Sequence, residues 1–210
     1  MITLKLGALA LVLSLGLNSA VNAKEYTILL DQSGSSPFLS SQEFKVDAIN
    51  YLVEKVKYME DGDSVIVKTF GSLDVAANFQ SRKMTIKRHN KKKIAKGLAG
   101  LILSLANSQH TQGSTNLYAW FGRNDLDCKN GTQLIALTDG IEDSEYISAS
   151  NLLNGTKSLP KAHLNASLDG CSIHFYGLGM GRPDKQVTIL RNAWSEYFKS
   201  ANAHFDSTTL

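Results

Sequence analysis

Tyr26-Thr27-Ile28-Leu29-Leu30 is a short, largely apolar run, and Asp31-Gln32-Ser33-Gly34-Ser35 follows it with no spacer. A run of that length and composition reads as a buried β-strand. A carboxylate and two hydroxyls are therefore delivered together at a strand's C-terminal end. Oxygen donors with little net negative charge suit a hard cation such as Mg²⁺ or Mn²⁺, which prefers an octahedral oxygen site, keeps some waters and leaves room for an outside carboxylate. The competing reading is that Asp31 and the serines cap the next helix.

Two further clusters supply what the first lacks. Gln133-Leu134-Ile135-Ala136-Leu137 is another apolar run, and it ends in Thr138-Asp139-Gly140. Between the two runs, Gly113-Ser114-Thr115-Asn116 offers hydroxyls in a turn, with Thr111 close by. Asp-x-Ser-x-Ser at 31–35, Thr115 and Asp139, in this order and with these flanking strands, resemble the metal-ion-dependent adhesion site of von Willebrand factor A domains. The resemblance spans nearly all of 24–210. It implies that Ser33, Ser35 and Thr115 touch a metal through their hydroxyls, with Asp31 and Asp139 acting directly or through water. It also implies a switch in which a ligand carboxylate draws these groups closer and shifts the last helix. The sequence departs from the pattern at Ser36-Pro37, where many members carry methionine.

Periodicity alternates strand with helix. Apolar strands are expected at 26–31, 64–70, 132–138 and 172–178. Helices are expected at 41–59, 91–106, 116–122, from 143 or 144 to 153, and 185–203, while 76–79 and 84–87 read as the edge of the sheet. This predicts an α/β fold, a doubly wound, Rossmann-like, mostly parallel sheet with one antiparallel edge strand and helices on both faces. In such sheets ligands bind beyond the strand C-termini where strand order reverses. If the strands at 26–31 and 132–138 are neighbours there, as the resemblance implies, Asp31 and Asp139 meet.

Residues 1–23 read as a cleaved signal peptide: Lys5 is their only charge, 6–17 is an apolar core too short to span a bilayer, and Val21-Asn22-Ala23 offers small residues before a cleavage point. Cleavage would leave 187 of the 210 residues, enough for one domain, with the formal charge falling from +3 to +2. Neither that balance nor the 43% hydrophobic content suggests a nucleic-acid partner, and no stable transmembrane segment is expected after cleavage. Two cysteines, Cys128 and Cys171, each precede a predicted strand, so a structural disulfide at the N-terminal edge of the sheet is expected, contributing roughly 2–4 kcal/mol. Two free thiols or a redox pair is the rival, though the spacing is not Cys-x-x-Cys.

Arg82, Lys83, Lys87, Arg88, Lys91, Lys92, Lys93 and Lys96 crowd one stretch. Most such runs are solvated faces, yet 91–93 fall in a helix's first turn, where the macrodipole disfavours cations. An anionic surface is therefore a candidate partner of Lys91-Lys93. Glu142, Asp143 and Glu145 are read as starting a helix rather than as ligands. Gly177-Leu178-Gly179-Met180-Gly181 lacks dinucleotide-loop spacing and reads as a flexible turn. The histidines show no zinc spacing, and no Gly-x-Ser-x-Gly elbow accompanies Ser33. The sequence is thus expected to encode an exported, periplasmic or secreted, non-catalytic domain that captures a partner protein's Asp or Glu through Mg²⁺ or Mn²⁺. Loops 34–40, 107–116 and 140–146 would set specificity. The alternatives are a scaffold subunit of a cell-envelope secretion, conjugation or pilus assembly, or a Mg²⁺-dependent phosphoester hydrolase.

Overall fold

A computed structural model describes residues 23–107, 111–124, 126, 128, 131–162 and 168–210. The expected leader lies outside these residues but for Ala23, as do His110 and His163.

Six strands form one sheet in the order β3-β2-β1-β4-β5-β6, with β1 Glu25–Asp31, β2 Ser64–Phe70, β3 Met84–Thr85, β4 Gln133–Leu137, β5 Ser172–Tyr176 and β6 His204–Thr208. All neighbours run parallel except β2 and β3. The chain steps from β1 outward to β2 on one side and from β4 outward to β5 and β6 on the other. Strand order therefore reverses between β1 and β4, whose register places Leu30 beside Leu137. Asp31 and Asp139 leave the sheet from this reversal point.

Alternation along β1 explains the two cores. Ile28 and Leu30 join one cluster with Phe44, Leu52, Val56, Leu98 and Ile102, beneath α2 (Gln42–Tyr58) and α3 (Lys91–Asn107). Leu29 points the other way, into a cluster with Phe121, Phe175, Trp194, Tyr197 and Phe198. That side is covered by α4 (Leu117–Arg123), α5 (Ala149–Leu153) and α6 (Asp184–Ser200). It is dense in rings, with Phe121 and Phe175 both meeting Phe198 edge-on, at centroid separations of 5.0 and 5.7 Å. Such edge-to-face pairs match the ring quadrupoles and add to the burial of their area.

Four elements differ from the sequence expectation. Pro37 begins a short helix, α1 (Pro37–Ser40), where its fixed φ and missing N–H cost nothing at a helix start. Residues 75–77 form a 3-10 turn rather than sheet edge. The expected helix from Asp143 begins only at Ala149, because the backbone of Asp143 is bonded both ways to Thr115 at 3.1 Å; Ser148 is the N-cap. β6 went unread, its His-Phe-Asp-Ser-Thr being too polar for a buried-strand pattern on an edge that stays half wet.

Cys128 and Cys171 are joined by a disulfide at the N-terminal edge of the sheet, as expected, at a sequence separation of 43. Closing a loop of that length removes unfolded-state entropy worth about 4 kcal/mol. Replacing both cysteines by serine should lower the melting temperature by about 5–15 °C in a thermal unfolding experiment. An unchanged melting point would show that the bridge contributes nothing.

Candidate functional site

At the C-terminal end of β1, Asp31 is fully buried. Its Oδ1 accepts from the Ser33 backbone N–H at 2.8 Å and its Oδ2 from the Thr138 hydroxyl at 2.6 Å. The first bond bends the chain back so that the two hydroxyls that follow face the same space; Ser33 Oγ and Ser35 Oγ lie 3.5 Å apart. Thr138 Oγ1 also accepts from the Gly140 N–H at 3.0 Å, tying the end of β4 to that of β1. Asp139 is buried at 2% exposure, and its Oδ1 accepts from Ile141 N–H at 3.0 Å. Ser35, Ser33 and Thr115 line a cleft of about 220 Å³ at this end of the sheet, whose wall does not include Asp31 or Asp139. All five residues expected from the sequence thus arrive at one end of the sheet.

No family model matches the sequence, and no curated protein does either. Solved structures do match the fold. A von Willebrand factor type A structure from Catenulispora acidiphila aligns over 90% of this chain and 39% of its own length, at 13% identity and a TM-score of 0.50. The pilus adhesin SpaC from Lactobacillus rhamnosus GG, in its open conformation, aligns over 89% of this chain and 28% of its own, at 14% identity and TM-score 0.47. Proximal thread matrix protein 1 of the mussel byssus, solved with a zinc-occupied MIDAS motif, gives 89%, 44%, 14% and 0.47 in the same order. This chain has the von Willebrand factor A fold. It spans less than half the length of each of these three proteins.

Around the cleft the structure adds residues that the sequence did not reveal. Gln112 pairs with the loop after β1 through its backbone, donating to Gln32 O at 2.8 Å and accepting from Gly34 N–H at 3.1 Å. Its side chain donates to Ala77 O at 3.1 Å and accepts from Ser72 N–H. One glutamine therefore stitches the Asp-x-Ser-x-Ser loop to 71–78. A Cβ on Gly71 would come within 2.5 Å of that side chain's Oε1, so a larger residue there would displace the Gln112 amide from its bonds. Arg182 reaches the cleft from the turn after β5, where Gly179 N–H donates to Asp139 O at 2.8 Å. Nothing in the spacing of Gln112 or Arg182 marked them, since both act across loops distant in sequence.

Electrostatics set three buried carboxyls apart from the rest of the interior. Burial, then the Asp31 charge, pushes the Asp139 carboxyl up to about 7, although a hydrogen bond from Ser35 and the Arg182 charge pull it back in part. Asp31 is also raised, by burial first. Glu142 is a third buried carboxyl, and burial pushes it up to about 7 as well. Its Oε2 accepts from the Tyr118 N–H at 2.9 Å, so it fixes the first turn of α4 rather than starting a helix of its own.

A carboxyl raised in the folded chain stabilises below its unfolded value and loses that contribution as pH rises through its folded one. For Glu142 the window runs from about 4.5 to about 7. Melting temperature should therefore fall between pH 5 and pH 8, and Glu142→Gln should shrink that fall by roughly 5–10 °C. An equal fall in wild type and variant would remove Glu142 as its cause.

Proposed function

We propose that this VWA domain is an exported adhesion-type module in which Asp31, Ser33, Ser35, Thr115 and Asp139 hold Mg²⁺ or Mn²⁺ and a partner protein's Asp or Glu carboxylate binds at the cleft. One observation carries the reading: two carboxyls are buried side by side at the reversal point, while among the described residues no lysine or arginine is buried. Arg182, the cation acting on Asp139, is exposed. Placing like charges together out of water is costly unless a cation neutralises them. The donor set fits: two carboxylates and three hydroxyls are hard oxygens, and Ser35 and the cleft leave one side open.

The chain's residues divide the work. Thr138 and the Ser33 amide orient Asp31, and Ile141 N–H orients Asp139, so neither carboxylate must be ordered when a cation arrives. A bound divalent ion would neutralise the two carboxylates and offer an open coordination position to an incoming oxygen. Arg182 at the lip adds attraction for an incoming carboxylate. The Cys128–Cys171 bridge supports an oxidising compartment, in keeping with the leader read at 1–23.

Isothermal titration with MgCl₂ or MnCl₂ should show one equivalent taken up by the wild-type chain. Asp139→Asn and Ser33→Ala should each weaken uptake by about tenfold or more with unchanged circular dichroism. Wild-type protein that takes up neither ion would sink the proposal. A second expectation concerns stability: with the buried pair neutralised, saturating Mg²⁺ should raise the melting temperature by several degrees, and EDTA should reverse it.

A further inference from the structure

The basic stretch finds a partial structural explanation. Lys91 Nζ donates to Met59 O and, at 3.2 Å, to Lys57 O, so this cation at the start of α3 caps the orphan carbonyls ending α2. That explains Lys91. It leaves Arg88, Lys92 and Lys96 exposed.

These cations border a groove of about 530 Å³ between α2 and α3, floored by Val53, Val56, Ala95 and Ala99. The two helices run antiparallel, because the start of α3 lies against the end of α2. Val46 lies two turns before Val53 and Leu103 two turns beyond Lys96, each on its partner's face, so the apolar floor continues for about 10 Å away from the charged end. Both are exposed, at 47% and 39%. Charge is one-sided at the start of α3: Lys87, Arg88, Lys91, Lys92, Lys93 and Lys96 fall within ten residues that hold no Asp or Glu. Of the acidic residues of α2, one faces away and one neutralises Lys57, which lines the groove. Asp47 lies towards Tyr176 of β5, and Glu54 pairs with Lys57.

We propose that the α2–α3 face is a peripheral docking surface for an anionic phospholipid bilayer. The cations would contact head-group phosphates, and the groove with Val46 and Leu103 would take up acyl-chain surface. Cations clustered on an amphipathic face beside exposed apolar groups match that boundary, where long basic side chains lay their stems on apolar surface and keep their charge in the wet layer. A solvated basic face would not need the apolar floor. The surface lies on one face of the sheet, whereas the carboxylate cleft lies at its C-terminal end, so the two can act at once.

The test is co-sedimentation of residues 24–210, which contain every element of the fold, with phosphatidylglycerol/phosphatidylcholine vesicles in EDTA. EDTA makes the outcome independent of any cation at Asp31 and Asp139. Binding to mixed vesicles and not to pure phosphatidylcholine is expected. Lys92→Glu/Lys96→Glu should weaken it at least about thirtyfold. Because acidic side chains early in α3 favour its dipole, this variant keeps the helix. Leu103→Asp, at an exposed position, should weaken binding about tenfold while leaving the charge-dependent part. Three results would overturn the proposal: no sedimentation with mixed vesicles, equal sedimentation with neutral ones, or undiminished binding by the double variant. Capture of a synthetic acidic amphipathic peptide without vesicle binding would do the same and assign the groove to a protein helix.

Discussion

Two carboxylates buried side by side where strand order reverses are the constraint around which this fold is arranged. Neither Asp31 nor Asp139 contributes to the apolar core, and burial disfavours the charged form of both. The surrounding bonds do not repay that cost with a buried cationic side chain. They position instead: Thr138 bridges the ends of β1 and β4, and the Ser33 and Ile141 amides aim the oxygens. A sheet whose central strands carry paired charges at one end trades stability there for a site, a pattern expected of functional rather than structural polar groups.

The same logic governs the loops. Irregular backbone around the cleft is secured by a small number of cross-loop bonds, above all those of Gln112 and the reciprocal pairing of Thr115 with Asp143. Thr115 is therefore positioned by its main chain, leaving its hydroxyl free to face the cleft. Glu142, adjacent in sequence, is directed inward to α4. Alternation across one short extended segment thus sends Glu142 and Asp143 to different tasks.

Much of this was legible in the sequence. Continuous apolar runs ending in Asp31 and Thr138-Asp139 marked two strands and brought each carboxylate to a ligand-binding end, because a parallel strand must be apolar along its length and its C-terminal residue must emerge there, whereas the adjacency of those strands and the place of Thr115 came from the resemblance alone. What stayed hidden depends on contacts between distant segments. The helix expected from Asp143 was displaced by pairing with Thr115, a tertiary contact outweighing local propensity. β6 was obscured because an edge strand tolerates polar residues. Lys91 looked like a local error until its target, the end of α2, came within reach.

Trp194 on α6 donates its indole N–H to Gly140 O at 2.7 Å, inside the loop that carries Asp139. Gly140 has φ +70°, and a Cβ there would meet Leu178 Cδ1 at 2.4 Å and Trp194 Nε1 at 3.4 Å, so the loop packs closely on the turn after β5 and on the indole. An indole so bonded is an optical reporter wired into the protein: its emission responds to changes in the polarity and hydrogen bonding of that one carbonyl. Rearrangement of the cleft floor would thus be visible as fluorescence without any added label.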